Sequence, residues 1–134
     1  MKRYLLDTNV CVYFLRERFG VAQHIATAGW RNCCISEITV AELLFGAENS
    51  NNIEKNIRLV EDFCENIEVI PITDALRVYA REKVRLRRQG TPIEDLDLLI
   101  GSTAKANGYT LVTENIRHLG KVEDIEIENW IKRS

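Results

Sequence analysis

At 134 residues, 46% apolar and 28% charged, the chain suits one domain over residues 1–134 with one core, and its composition excludes a disordered chain. A formal net charge of −2 excludes a generally basic nucleic-acid binder, so any contact with a polyanion has to be local. No apolar stretch is long enough to span a bilayer and no signal-peptide pattern opens the chain, which predicts a cytoplasmic protein without a membrane partner.

In chain order, residues 3–7 read as a buried strand, followed by helices over 10–18 and 21–28. Residues 32–36 form a second strand. A helix then starts at Ser36 or Thr39 and runs to about Glu48. After a polar break, residues 53–65 are amphipathic, with Ile53, Ile57, Val60 and Cys64 at helical spacing. Residues 67–72 predict a third strand. Thr73 with Asp74 can cap a long helix to about Gln89, which Gly90 ends. Thr91-Pro92-Ile93-Glu94 matches a capping box and opens a helix running to Asn107-Gly108. Residues 109–113 predict the fourth strand and 125–127 a short fifth. Strands alternating with helices argue for an α/β fold, a parallel sheet covered on both faces.

Cys11, Cys33, Cys34 and Cys64 form no CxxC pair and no zinc spacing, and read as free thiols. Cys33 and Cys34 would point to opposite faces of a strand. Arg77, Arg81, Arg85 and Arg88 share one helical face. That stripe reads first as a solvated outer face and second as a contact for RNA.

Three acids interrupt apolar runs: Asp7 after Tyr4-Leu5-Leu6, Glu42 inside Val40-Ala41-Glu42-Leu43-Leu44, and Asp97 before Leu98-Leu99-Ile100. A fourth polar junction, Thr113-Glu114-Asn115, follows Leu111-Val112. Carboxylates among core-forming residues are costly unless something compensates them. Each alone reads as a cap or a solvated group; recurrence at several junctions points to a shared cation. Oxygen donors without His or Cys suit Mg²⁺ or Mn²⁺ and not zinc. Such a site can activate water against a phosphodiester. The chain has no GxxxxGK[ST], no GxGxxG after a strand and no GxSxG. His24 and His118 read as structural or exposed.

The ordered set Tyr4-Leu5-Leu6-Asp7-Thr8-Asn9, the stretch from Ile35 to Gly46, Asp97-Leu98-Leu99-Ile100, the stretch from Tyr109 to Asn115 and the terminal Glu128-Asn129-Trp130 resembles the PIN-domain ribonucleases, in particular the VapC-type toxins of type II toxin–antitoxin modules. The resemblance spans essentially the whole chain. It implies a three-layer α/β/α sandwich around a parallel sheet, Mg²⁺-dependent endoribonuclease activity on structured RNA of the tRNA or rRNA class, a homodimer, and neutralisation by a cognate antitoxin.

The family's acids fall on Asp7, Glu42 and Asp97, and its fourth position, Asp or Asn, falls on Asn115. Asp7 and Asp97 are expected to bind the metal directly; Glu42 binds it or orients the attacking water. Thr8, Asn9, Ser36 and Thr113 are expected as hydrogen-bonding supports. Glu114 is a possible substitute for Asn115, although strand alternation turns it away from the face shared by Thr113 and Asn115. Two other readings compete: a catalytically silent RNA-binding or regulatory PIN-like module, and a phosphatase of the haloacid-dehalogenase type. The phosphatase mechanism wants an Asp where Asn9 stands.

Overall fold

The β-prone runs become five short strands, all paired in parallel, in a computed structural model that describes residues 2–133. Tyr4–Leu6 (β1) lies at the centre of the sheet. Cys33–Ser36 (β2) and Thr110–Val112 (β4) flank it, and Glu68–Ile70 (β3) and Ile127–Glu128 (β5) form the edges. Parallel strands need crossover connections, and helices supply them. Thr8–Leu15 (α1) and Val21–Ala28 (α2) follow β1, and Glu37–Glu48 (α3) and Ile53–Asn66 (α4) follow β2. Leu76–Arg88 (α5) and Asp95–Asn107 (α6) follow β3, and Ile116–Leu119 (α7) follows β4.

Adjacent strand residues serve opposite faces, as the pleat requires. Leu6, Cys33, Ile35 and Val112 join Val10, Ile25, Leu43, Val60 and Phe63 in one apolar cluster. Leu5, Cys34, Ile70 and Leu111 join Leu86, Leu98, Ile100 and Ala104 in the other. The core therefore consists of two clusters, one on each face of the sheet, where composition suggested one. Burying a leucine such as Leu5, Leu6 or Leu111 fully, as here, contributes about 1.5–3 kcal/mol. Cys11, Cys33 and Cys34 are buried free thiols and Cys64 is half-buried. Burial pushes the Cys33 and Cys34 thiols up to about 11 and about 12.

Several element boundaries depart from the expectations. The first helix begins at Thr8 instead of residue 10, because Asp7 caps it. The third strand stops at Ile70, since Ile72 already leads into a 3₁₀ turn over Thr73–Ala75. Thr73 and Asp74 belong to that turn, so neither caps α5. The fifth strand covers Ile127–Glu128 instead of 125–127, and α7 was not anticipated.

The capping box at 91–94 does not form. Helix α6 starts at Asp95, with Glu94 in an extended conformation and no side-chain cap. The preceding helix uses Thr91 instead: its N–H donates to Leu86 O at 2.9 Å across Gly90, whose φ of +73° favours glycine. This is a Schellman closure, and it leaves Thr91 unable to open the next helix.

The small residues of α6 allow close packing, as expected from Gly101 and Ala104. A Cβ at Gly101 would lie 3.2 Å from both Leu119 and Val122. Among the described residues no helix is long and apolar enough to cross a membrane.

Candidate active site

Asp7 sits where β1 gives way to α1, at the carboxyl end of the central strand. Its N–H donates to Val112 O at 2.9 Å, which carries the pairing of β1 and β4 one residue past the strand. The side chain is 5% exposed. Its Oδ1 accepts from Thr8 N at 2.8 Å, as the N-cap of α1, and its Oδ2 accepts from the Thr113 hydroxyl at 2.7 Å. Burial pushes its carboxyl above the usual range, while the two hydrogen bonds pull it down. Among the described residues no Lys or Arg side chain acts on it, so Asp7 is both a cap and a buried acid without a cationic side-chain partner there.

Glu42 lies half-buried on α3. The Thr8 hydroxyl donates to its Oε1 at 2.6 Å and lies 3.0 Å from the Thr39 hydroxyl. Thr8 and Thr39 therefore hold Glu42 toward the end of β1. Asp97 occupies the first turn of α6. Its carboxyl is raised to about 6, by burial first and then by the charges of Asp7, Glu94 and Glu42, with His118 acting in the opposite sense. This mutual repulsion brings Asp7, Glu42 and Asp97 into one electrostatic neighbourhood, though they stand 90 residues apart in sequence at the extremes.

Beyond β4, Thr113 is fully buried, and its hydroxyl both donates to Asp7 and accepts from Asn115 N at 2.9 Å. Asn115 Oδ1 lies 2.9 Å from His118 Nδ1. Glu114 turns the other way. It accepts from Tyr13 OH at 3.2 Å and from Arg133, with Arg133 Nη2 at 3.0 Å. The Arg133 bond holds its carboxyl below the usual range. Its charge is spent on that pair.

The remaining sequence-derived residues divide. Ser36 is fully buried, but its hydroxyl accepts from Ile38 N at 3.0 Å as the cap of α3, so it supports the helix that carries Glu42 and not an acid directly. Asn9 is exposed in the first turn of α1. Arg77, Arg81 and Arg88 are exposed on α5. Arg85 leaves that stripe: it forks onto buried Glu82 at 2.7 and 3.0 Å and donates to Lys121 O at 2.6 Å. The i, i+3 spacing of Glu82 and Arg85 was the available signal.

Glu94 and His118 were missed as neighbours of the acids. Glu94 was hidden by the capping-box reading. His118 comes into range only through α7. His24, in contrast, stacks on Trp130 with ring centroids 5.1 Å apart, a structural contact.

The donor set around Asp7 and Asp97 consists of carboxylate, hydroxyl and amide oxygens, which fits a hard cation such as Mg²⁺ or Mn²⁺. Among the described residues no three His, Cys, Asp or Glu side chains close into a cage of their own.

Comparisons with known proteins agree with this geometry. A profile of the PIN domain matches residues 4–124. The chain is 34% identical over 134 residues to ribonuclease VapC2 of Haemophilus influenzae, covering 98% of this chain and 100% of that one. It is 31% identical over 131 residues to the tRNA(fMet)-specific endonuclease VapC of Salmonella typhimurium, covering 97% and 99%. Among solved structures, DNA-bound VapBC from Salmonella typhimurium superposes with a TM-score of 0.90 at 33% identity, covering 97% of this chain and 99% of that one. The five-stranded parallel sheet between helical layers is the PIN-like α/β/α sandwich, and the chain belongs to the PIN-domain family, in its VapC-type ribonuclease branch.

Proposed function

We propose that this protein is a cytoplasmic, Mg²⁺- or Mn²⁺-dependent endoribonuclease toxin that cuts structured RNA of the tRNA or rRNA class and is held inactive by a cognate antitoxin. The observation that carries the reading is the buried Asp7 at the carboxyl end of β1, which accepts from Thr8 N and the Thr113 hydroxyl, has no Lys or Arg partner among the described residues and shares Thr8 with Glu42; the lift of Asp97 to about 6 agrees with it. Acids that repel one another at a strand-end site are a preformed seat for a divalent cation.

When bound, the cation supplies Lewis-acid charge to the phosphodiester and activates water. Asp7 and Asp97 hold it; Glu42 shares it or orients the water. The chain's other groups do positional work. Thr113 and Thr8 N fix both oxygens of Asp7, so its carboxylate does not rotate. Thr8, backed by Thr39, holds Oε1 of Glu42.

The substrate class is supported by the relative named as a tRNA(fMet)-specific endonuclease. The partner is supported by the VapBC relative and by an apolar groove of this chain lined by Phe14, Leu15, Trp30, Leu59 and Phe63. A neighbouring groove lined by Val12, Leu43 and Val60 reaches Glu42 itself, so a protein seated there would cover that acid. The exposed Arg77, Arg81 and Arg88 offer phosphate contacts, and the homodimer is carried over from the family.

The test is cleavage of a tRNA and rRNA panel by purified protein. Cleavage should require Mg²⁺ or Mn²⁺, and zinc should restore it poorly. Full activity in excess EDTA would sink the metal mechanism, and no cleavage of any RNA under any divalent cation would sink the nuclease reading. Neutralising Arg81 and Arg88 should weaken RNA binding and flatten its salt dependence.

A further inference from the structure

Asn115 stands at the N-cap of α7, where an Asn side chain ordinarily accepts from the N–H groups of the helix's first turn. Here it makes no such bond. Its Oδ1 lies instead 2.9 Å from Nδ1 of His118, one turn along. The backbone of Asn115 is anchored separately, through Thr113, to Asp7. The side-chain amide is thus fixed by His118 alone among the described residues. An amide has an acceptor at one end and two donors at the other. Whichever end His118 holds, the opposite end is presented elsewhere. With Nδ1–H donating to Oδ1, the presented end is the Nδ2 amino group, which has no protein acceptor among the described residues.

We propose that His118 is a positioning residue: held as the Nδ1–H tautomer, it turns Asn115 so that Nδ2 donates to a non-bridging oxygen of the phosphodiester at the acid site. A neutral donor has a clear use there. The acids repel the phosphate on which they act, and a preoriented amide holds one of its oxygens without drawing the carboxylates away from a cation. Asn115 then serves as a donor to substrate and not as a weak substitute for a fourth acid. The inference rests on the ribonuclease reading above.

Two substitutions separate the ring nitrogens. An Asn side chain carries its amino group where His carries Nδ1, and a Gln side chain carries it where His carries Nε2. Single-turnover RNA cleavage should be measured for the parent, His118→Leu, His118→Asn and His118→Gln, together with KM. Because His118 is exposed, all four should melt alike. His118→Leu should lower kcat by about 10- to 100-fold with KM little changed. His118→Asn should recover most of the rate, and His118→Gln should not.

The tautomer itself is read in the metal-free protein by long-range ¹H–¹⁵N correlation, with His118 identified by its loss in His118→Leu. It should show a protonated Nδ1. Recovery by Gln and not by Asn would put the action at Nε2 and overturn the proposal, as would a rise in KM alone or parental rates in His118→Leu. A neutral ring protonated at Nε2 would overturn it without any activity measurement. A parent that cuts no RNA would remove the ribonuclease reading, and the tautomer would then decide the orientation of Asn115 by itself.

Discussion

Asp7 and Glu82 are buried to nearly the same degree, 5% and 4% exposed, and are surrounded in opposite ways. Glu82, on the outer helix α5, accepts two bonds from Arg85 and one from Glu123 N at 2.7 Å, with Lys105 at 3.8 Å. Arg85 above all holds its carboxyl below the usual range. Asp7, at the end of the central strand, receives only a hydroxyl and a backbone N–H, and burial raises it. Burial alone therefore does not mark a functional acid; the missing counter-charge does. One acid completes its balance inside the fold and ties α5 to the segment after α7. The other finds no Lys or Arg partner among the described residues, the pattern expected of an acid with a chemical task.

Removing each charge should break the comparison in opposite senses. Asp7→Asn should lower RNA cleavage by orders of magnitude in a gel assay. In metal-free buffer it should melt no lower than the parent, since it removes a like charge and leaves the Thr8 and Thr113 contacts sterically possible. Mg²⁺ should then raise the melting temperature of the parent more than that of the variant. A large loss of stability without metal would make Asp7 a structural acid like Glu82.

Glu82→Ala should lose about 3 kcal/mol in urea denaturation, at the lower end for a broken buried pair because Arg85 keeps some solvent access. Cleavage per folded molecule should persist. A neutral effect on stability would mean that the Arg85 fork contributes nothing.

The pH dependence sharpens the contrast. Asp97 is raised from an unfolded value near 3.9 to about 6, so between these values the folded state binds more protons than the unfolded one. In metal-free protein its contribution therefore falls as pH rises from about 4 to 6. For Glu82, whose folded value is lowered, stability is present above its unfolded value and is lost as pH falls through the folded one. Asp97→Asn should flatten the decline between pH 4 and 6, leaving the part that comes from the raised Asp7 and the acid-side loss from Glu82. Chemical denaturation across that range reads both. An unchanged slope in the variant would dissociate Asp97 from the repulsive cluster.

The smallest effect belongs to Glu114→Gln. It weakens an ion pair with Arg133, which is more than half exposed and screened by solvent, so the melting temperature should change little. Cleavage should stay near parental. A loss comparable to that of Asn115→Ala would return Glu114 to the site.

The sequence made the strand–helix alternation and the polar junctions legible because each carboxylate interrupts an otherwise apolar run. It could not separate Arg85 from Arg81 and Arg88. All three share a helical period, and only the fold shows that Glu82 is buried beneath one of them. The capping-box reading at 91–94 failed because a neighbouring helix end competed for the same residue, a contest settled by the Thr91–Leu86 hydrogen bond. Glu94 stands three residues before Asp97, a local i, i+3 signal that the capping-box reading masked. The relation of His118 to Asp97 exists only after α6, α7 and the sheet have packed together.

The bond from Thr113 to Asp7 joins residues 106 positions apart. A ribosome synthesising this chain makes Asp7 long before the strand end that fixes it. At ordinary elongation rates that interval is about 5–20 s. Throughout it β1 lacks its β4 neighbour, Asp7 lacks the hydroxyl that holds Oδ2, and α6 with Asp97 emerges only near the interval's end. A hydrolase aimed at RNA is thus assembled last at its own cutting edge, and the machine that builds it, itself made largely of RNA, faces a finished blade only after Thr113 has emerged.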